Sequence, residues 1–274
     1  MSVLITGASG FIGKALSMSM SKKHNVICMS RKDRKLDLTY IRGEFSNFED
    51  LRQLDKYDID VVVHLGAVLG GCCERDGILV NVEGTRCLMR YLIGRGCKKF
   101  VLASSIAAVG AQDRDFQPIK LPIPDDHPCL AKDAYGLSKY LMEEVSKYYQ
   151  RQNPDLDVIN LRLSGVRLDE HKISLTEISP PRPWCTVKIT VMHLSDAIKA
   201  FTLAAESKYK PGLRIMNACG PKAWVAVPVA DILYNWWGDD VDLSYFKQPG
   251  NEYASIYDVK LIKKELGFVA KLTP

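Results

Sequence analysis

The chain has 274 residues and a formal net charge of +5; 47% of its residues are hydrophobic and 25% are charged. This composition is that of an ordinary globular protein with room for one large core and a small appendage. The charges are spread along the chain, which suits an anionic ligand but does not predict a nucleic-acid partner. No apolar run approaches membrane-spanning length, and the first predicted strand begins at Val3. We therefore expect no membrane partner and no signal peptide.

The eight cysteines fall mostly within predicted strands and helices. Cys72 and Cys73 are adjacent, a spacing that common zinc sites do not use. We therefore expect buried thiols in a reducing cytoplasm and no metal site.

The first predicted unit is a buried strand over residues 3–6, a glycine-rich turn, and a helix over residues 11–22. Gly7, Gly10 and Gly13 are spaced three apart across this turn. Glycine allows a tight turn and a close approach of the backbone to a pyrophosphate. The unpaired N–H groups at the start of the helix, aided by its dipole, then face the anion. The stretch predicts a dinucleotide site.

The second predicted strand covers residues 25–29 and ends in a basic loop. Ser30 stands where an NAD-binding site usually places an acidic residue for the ribose hydroxyls, and Arg31 follows it. A guanidinium at this point suits the 2′-phosphate of NADP. We expect NADP as the cofactor, with NAD possible; the alternative is a solvated basic loop without a ligand.

Strand-like and helix-like runs continue to alternate along the chain, which predicts a parallel sheet with helices on both faces. His64 ends the fourth predicted strand, and we interpret it as a hydrogen-bonded strand-end histidine rather than a catalyst. Asn81 lies inside the next predicted helix, where its low helix propensity suggests a buried hydrogen bond.

Tyr135 and Lys139 are four residues apart in a run with helical apolar spacing, so both side chains can reach one site. A free tyrosine has a pKa near 10, and a neighbouring ammonium together with an oxidised nicotinamide would favour its phenolate. Tyr135 could then exchange a proton with a secondary alcohol or a ketone while hydride moves. Ser105 follows the fifth predicted strand, which covers residues 100–103, and could hold the substrate oxygen.

These motifs, in this order, resemble the extended branch of the short-chain dehydrogenase/reductase superfamily, which includes nucleotide-sugar epimerases and dehydratases. The resemblance runs from Val3 to about Val166 and includes the family's N-V-x-G-T segment at residues 81–85. It implies a Rossmann-type, doubly wound α/β fold. Residues 1–165 would form the dinucleotide-binding domain, and residues 166–274 a small substrate-binding portion with segments that return to the main sheet.

The resemblance also implies roles for individual residues. Ser105, Tyr135 and Lys139 would be catalytic, with Lys139 bonding the nicotinamide ribose as well. Glu44 and Phe45 would contact adenine. The full set predicted to bind the cofactor is Gly7, Ser9, Gly10, Phe11, Ile12, Gly13, Arg31, Lys32, Glu44, Phe45, Leu65, Gly66, Ala67, Asn81, Ser104, Tyr135, Lys139, Leu163 and Val166. The set predicted to contact substrate is Gly70, Ser105, Ser164, Arg167 and Arg182.

Three functions remain open at this point. The first is net oxidation or reduction of a hydroxyl or keto group on a sugar-like small molecule. The second is nucleotide-sugar epimerisation with a retained cofactor. The third is a non-catalytic NADP sensor, against which the Ser105, Tyr135 and Lys139 set argues. The segment between Arg167 and Val191 is short and interrupted by prolines, which leaves little protein to hold a nucleoside diphosphate.

A homodimer is also expected, because two helices carry more apolar residues than one sheet needs. In extended family members such a helix pair commonly forms the dimer interface. The residues concerned are Leu88, Met89, Leu92 and Ile93 on one helix, and Leu141, Val145, Tyr148 and Tyr149 on the other.

Overall fold

The computed structural model describes residues 1–32, 37–177 and 186–271. Seven parallel strands form one sheet in the order β3-β2-β1-β4-β5-β6-β9, with helices on both faces. This confirms the predicted Rossmann-type α/β fold. The strands are β1 (Ser2–Thr6), β2 (Asn25–Ser30), β3 (Thr39–Arg42), β4 (Val61–His64), β5 (Lys99–Ser105), β6 (Asp157–Leu163), β7 (Gly165–Arg167), β8 (Val191–His193) and β9 (Gly212–Ala218).

The helices alternate with the strands along most of the chain. They are α1 (Phe11–Met20), α2 (Phe48–Leu51), α3 (Glu74–Asp76), α4 (Gly84–Ile93), α5 (Ala134–Gln152), α6 (Leu194–Glu206), α7 (Val229–Trp237) and α8 (Lys260–Leu266). A π-helical segment, Gly77–Glu83, joins α3 to α4 without a break. Short 3₁₀ helices cover Arg52–Leu54, Ile106–Val109, Thr186–Lys188, Gly238–Asp240 and Ser244–Lys247.

Helices cover both faces of the sheet. Successive side chains of each central strand point to opposite faces, so side chains on both faces are buried. Val3 and Ile5 of β1 lie in one apolar cluster with residues of α1, α6 and α8. Leu4, between them, lies in a second cluster with residues of α4 and α5. The near-continuous hydrophobic character of the predicted strands follows from this double burial.

The strand order reverses next to β1, which has β2 on one side and β4 on the other. In open parallel sheets this switch point leaves a crevice at the carboxyl ends of the strands, where ligands bind. The loops after β1 and β4 therefore lie side by side.

The chain after residue 165 contributes to two regions. Strand β9 completes the main sheet beside β6, and α6 packs on one face of that sheet. A separate apolar cluster gathers Trp236, Trp237 and Phe246 with residues of the Ile106–Val109 turn. The division of the chain near residue 165 stays a prediction.

Candidate active site

One cleft of about 650 Å³ runs along the carboxyl ends of the central strands. Every residue predicted from the sequence to bind the cofactor lines this cleft, except Asn81. Gly70, Ser105 and Ser164 from the predicted substrate set line it as well. The structure thus gathers residues that are spread over about 160 positions of the chain into one continuous surface.

The backbone of the glycine-rich turn packs directly against the backbone of the loop after β4. Gly7 has a φ of +68°, and a Cβ atom there would stand 2.7 Å from the amide nitrogen of Gly66 in the loop after β4. Any side chain at Gly7 would therefore force these two loops apart. Helix α1 begins after Gly10 with no acidic residue in its first turn and no capping side chain from the described residues. Its first N–H groups are available to a phosphate oxygen.

The end of β2 presents a hydroxyl and two cations. Ser30 Oγ donates to the carbonyl oxygen of Lys32 at 2.9 Å, and the Tyr40 hydroxyl donates to the same oxygen at 2.5 Å. Arg31 and Lys32 are exposed and line the cleft. Neither pairs with a carboxylate among the residues that the structure describes.

Tyr135, Ser105 and Lys139 meet at the middle of the cleft. Ser105 ends β5, and its hydroxyl lies close enough to the Tyr135 hydroxyl to lower the pKa of that phenol. Ser105 Oγ also accepts the backbone N–H of Ala107 at 3.1 Å. Lys139 Nζ lies 5.7 Å from the centre of the Tyr135 ring and donates to the carbonyl oxygen of Ala103 at 2.7 Å. One helix and one strand end therefore fix all three groups.

Burial shifts both ionisable groups of this set toward their neutral forms. Burial raises the pKa of Tyr135 to about 12, and the Ser105 hydroxyl opposes that rise. Burial lowers the pKa of Lys139 to about 8, opposed by the negative charge of Glu143 one turn further along α5. In the free protein the phenol is protonated near neutral pH, which suits it to donate a proton.

Glu143 is held by three side-chain hydrogen bonds beneath the cleft. Arg162 on β6 makes a bidentate pair with it, at 2.8 Å to Oε1 and 2.7 Å to Oε2. Ser104 donates to Oε1 at 2.6 Å. Because the carboxylate and the guanidinium are both almost fully buried, removing either partner would leave an uncompensated charge. This network ties α5 to β5 and β6 directly below Lys139.

Asn81 lies beside the cleft and holds its wall. Its Oδ1 accepts the backbone N–H of Val68 at 2.8 Å, and its Nδ2 donates to the Val68 carbonyl and to Ser138 Oγ. These bonds confirm the predicted buried contact of a helical asparagine. They fix the loop after β4 against α5, which is a positioning role.

His64 is buried between two hydroxyl groups, as predicted. Its ring nitrogens lie 2.6 Å from Thr6 Oγ1 and 3.1 Å from Thr85 Oγ1. Burial lowers its pKa to about 3, so the ring stays neutral.

One described residue of the predicted substrate set, Arg167, does not line the cleft. Arg167 is exposed, and its guanidinium donates to the carbonyl oxygen of Val166 at 3.2 Å. Arg182 lies outside the described residues. Conversely, the cleft is also lined by residues for which no sequence motif gave a signal: Ser46, Leu69, Val80, Ile106, Gln112 and Val187.

The sheet order and the placement of Tyr135 and Lys139 beside the cleft are those of the extended short-chain dehydrogenase/reductase class. A family model narrows this class. Residues 3–171 match the NAD dependent epimerase/dehydratase family, and the chain belongs to that family. The resemblance seen in the motifs is thereby confirmed, and the curated relatives that match are enzymes.

Among those relatives, the chain is 27% identical over 236 residues to dTDP-4-dehydro-6-deoxyglucose reductase of Escherichia coli. That match covers 74% of this chain and 72% of the reductase. This chain is also 27% identical over 183 residues to UDP-glucose 4-epimerase of Pisum sativum. That match covers 58% of this chain and 51% of the epimerase. The chain thus spans about half the length of the first relatives that it matches.

Solved structures share the fold over the whole chain. UDP-glucose 4-epimerase from Bifidobacterium longum, in complex with NAD⁺ and UDP, has a TM-score of 0.75 at 18% identity. That match covers 100% of this chain and 94% of that one. A short-chain dehydrogenase/reductase superfamily protein from Agrobacterium tumefaciens with bound NAD has a TM-score of 0.74 at 20% identity, covering 100% and 93%.

The described residues provide neither a membrane-spanning helix nor a cluster of metal ligands. None of the helices combines the length and the apolar character required to cross a bilayer. Within the same residues, no group of three or more His, Cys, Asp or Glu side chains is arranged to hold a metal ion.

Proposed function

We propose that the protein is an NAD(P)-dependent oxidoreductase that moves a hydride to or from a secondary alcohol or ketone of a sugar-like small molecule. The observation that carries this proposal is the Ser105–Tyr135 hydroxyl pair above Lys139, in a cleft that continues to the glycine-rich turn. A protein that only sensed a dinucleotide would need the turn but no general acid.

A dinucleotide fits the groups that line the cleft. The Gly7 turn and the first N–H groups of α1 would hold its pyrophosphate, and the cations after β2 lie at one end. A bound nicotinamide supplies or accepts the hydride. The residues described here do the rest of the chemistry.

In the direction of reduction, Tyr135 donates its phenolic proton to the carbonyl oxygen of the substrate. Ser105 Oγ accepts the N–H of Ala107, which leaves its own hydrogen to bond the same substrate oxygen. The ammonium of Lys139 stabilises the phenolate that remains. In the direction of oxidation the same groups act in reverse, with Tyr135 as the base.

Epimerisation with a retained cofactor is the second candidate, and the match to UDP-glucose 4-epimerases favours it. Net oxidation or reduction is favoured by the reductase from Escherichia coli, which aligns with a larger share of both chains. It is favoured also by the short segment between β7 and β8.

We propose NADP as the preferred cofactor. Arg31 and Lys32 line the cleft at the end of β2, where a carboxylate would otherwise accept the ribose hydroxyls. The neighbours with a dinucleotide in their structures carry NAD, so the preference rests on these two cations alone.

We also propose a homodimer in a reducing, cytoplasmic compartment. The seven cysteines that the structure describes are free thiols. Leu137 and Tyr148 are exposed on α5, with Leu141 and Val145 partly exposed on the same helix. These apolar side chains could pack against a second copy.

The function is tested with Tyr135→Phe, which removes only the phenolic hydroxyl. We expect cofactor binding to stay nearly unchanged and turnover to fall by about a hundredfold or more. Binding is measured by fluorescence titration with NADPH, and turnover by the change in NAD(P)H absorbance. Tyr148→Phe, an exposed change on the same helix, is the control. Turnover of Tyr135→Phe close to that of the natural protein would overturn the proposal.

A further inference from the structure

The two ends of the cleft differ in charge. The cleft spans strand ends from β3 to β6, about 24 Å or five inter-strand spacings. Arg31, Lys32 and Glu44 lie at the β2–β3 end, and Lys139 lies in the middle. They are the charged side chains among the described residues that line it.

The β5–β6 end, beyond Ser105 and Tyr135, is lined by uncharged residues in the described part of the chain. We call it the neutral end. It consists of Leu69, Gly70, Ile106, Gln112, Ser164 and Val187.

Three contacts place these residues around the reacting groups. Ser105 is paired with Leu163 across β5 and β6, which sets Ser164 beside the catalytic serine. A Cβ atom on Gly165 would stand 3.4 Å from Val187 Cγ1, so Val187 closes the same side. A Cβ atom on Gly70 would stand 3.1 Å from Gln112 Oε1, so the Gln112 carboxamide lies against the loop after β4.

Gln112 is one of the polar residues that line this end. It follows a fully buried run, Ile106 to Ala111, that begins beside Ser105, and it is itself half-buried. Its carboxamide has no hydrogen-bond partner among the described residues, although it carries two donor hydrogens and an acceptor oxygen. A half-buried amide of this kind is suited to a ligand hydroxyl, which also donates and accepts.

An anionic substrate would need different groups here. Diphosphates and carboxylates are recognised by arginine forks, lysines or the N–H groups of a helix start. The neutral end presents none of these from the residues that the structure describes.

On the basis of the proposed function, we propose that the substrate is a small uncharged polyhydroxy compound or the corresponding ketone. Gln112 binds one of its hydroxyl groups, and Ser164 lies against another. Among the described residues, this end offers no group suited to a nucleoside diphosphate, although the family relatives that match include UDP-glucose 4-epimerases.

The substrate class is tested by turnover of three sets of compounds with the full-length protein and NADP(H). The uncharged set is glucose, galactose, xylose, their lactones and their alditols. The acidic set is glucuronate and galacturonate, and the nucleotide set is UDP-glucose and UDP-galactose. We expect kcat/KM for the best uncharged compound to exceed that for either charged set at least tenfold.

The role of Gln112 is tested on the best uncharged compound. Gln112→Leu keeps the size of the side chain and removes both hydrogen-bonding functions. We expect KM to rise about tenfold or more while kcat stays within about twofold. Gln117→Leu is the matched control, because Gln117 bonds the carbonyl oxygen of Asp240 and does not line the cleft. Its KM stays that of the natural protein.

Several results would overturn these assignments. Faster turnover of a UDP-sugar or a uronate than of any uncharged compound refutes the substrate class and leaves the proposed oxidoreductase standing. An unchanged KM for Gln112→Leu refutes the role of that residue. No turnover with any set refutes the proposed function itself, together with the inference that rests on it.

Discussion

Lys139 is a buried group whose charged form is disfavoured by its surroundings. Its side chain is almost fully enclosed, and burial lowers its pKa from 10.5 to about 8. The nearest opposing influence is Glu143, whose carboxylate is already engaged by Arg162 and Ser104. The protein therefore keeps a destabilising ammonium where the proposed chemistry needs a positive charge.

This cost can be measured with Lys139→Met. Between about pH 8 and 10.5 the unfolded chain holds the Lys139 proton more tightly than the folded protein does. The free energy of unfolding of the natural protein therefore rises with pH across that window, by about 3 kcal/mol from this group. At pH 7 we expect Lys139→Met to be more stable by about 2 kcal/mol, since the lost bond to Ala103 offsets about 1 kcal/mol. The advantage disappears toward pH 10.5.

Urea unfolding at pH 7 and pH 10 measures the difference, and turnover is expected to fall in the same variant. Lys147→Met is the control, because Lys147 is partly exposed and paired with Glu144 on the surface of α5. Equal stability of Lys139→Met and the natural protein at both pH values would contradict the expected destabilisation by a buried ammonium.

At the same scale, we propose that Arg31 determines the choice between NADP and NAD. A charge-assisted hydrogen bond to the 2′-phosphate contributes roughly 1.5–3 kcal/mol, which corresponds to about a ten- to hundredfold preference for NADP over NAD. Arg31→Asp replaces this cation with a group that accepts from ribose hydroxyls and repels phosphate. We expect the preference to reverse, as measured by titration with both cofactors.

Arg42→Asp is a matched control on the neighbouring strand, because Arg42 is exposed and does not line the cleft. The cofactor content of the purified protein is measured alongside. Equal affinity of the natural protein for NAD and NADP would remove the basis for the preference. A stoichiometric cofactor that survives purification without exchange would favour the epimerase.

At the scale of the element, the helix from Glu74 to Ile93 is widened where its Asn81 side chain bonds residues outside the helix. Its central segment, Gly77–Glu83, is π-helical, and the N–H of Gly84 bonds the carbonyl oxygen of Leu79, five residues back. Asn81 projects from this segment to bond Val68 and Ser138. Helices with such local widening often occur at functional sites. Here the widened turn carries the side chain that holds the wall of the cleft.

Two substitutions at Asn81 separate its bonds. Asn81→Leu leaves the backbone groups of Val68 and the Ser138 hydroxyl without this partner, and we expect a loss of about 1–3 kcal/mol in unfolding free energy. Cofactor affinity should fall as well, because the loop through Ala67 and Leu69 lines the cleft. Asn81→Asp keeps the acceptor for the Val68 N–H but loses both donated bonds and buries an unpaired charge, so its losses should be at least as large.

Denaturant unfolding and cofactor titration report the two effects separately. Val82→Leu, a half-buried neighbour on the same helical segment that does not line the cleft, serves as the control. Unchanged cofactor affinity in Asn81→Leu would show that the loop holds its position without this side chain.

At the scale of the whole molecule, the proposed dimer interface has lost residues to the core. Half of the apolar helix residues expected at that interface are instead buried within the chain itself. Leu88, Met89, Leu92 and Tyr149 are buried in the cluster that covers one face of the sheet. Tyr148 remains exposed, and Ile93, Leu141 and Val145 are partly exposed. The apolar surface left exposed for a dimer interface is therefore smaller than the sequence suggested.

The dimer is tested by light scattering on the full-length protein at micromolar concentration. We expect the mass of two chains. Leu141→Glu places a charge within the remaining apolar strip and should shift the protein to one chain per particle without unfolding it. Glu144→Gln on the same helix is a mild control. A natural protein that scatters as a single chain at this concentration would contradict the proposed dimer.

Patterns among residues close in sequence predicted most of the strands, the glycine-rich turn and the Tyr135–Lys139 pair. The strand predicted at residues 3–6 is Ser2–Thr6, and that predicted at residues 100–103 is Lys99–Ser105. Aliphatic runs mark buried strands, and glycine spacing marks the turn, because both are fixed by neighbours along the chain. The four-residue offset between Tyr135 and Lys139 likewise needs only the geometry of a helix to bring both to one site.

The buried partners of Glu143 and the position of Gln112 could be known only from the tertiary structure. Both depend on which strands are neighbours and on how the chain turns between them. The partners of Glu143 come from Ser104 and Arg162, 39 and 19 residues away, and they meet because β5 and β6 are neighbours in the sheet. Gln112 carries no motif, and it reaches the cleft because the chain turns after β5. An amphipathic helix predicts that one face is buried, but the sequence does not say whether the sheet or a second chain covers that face.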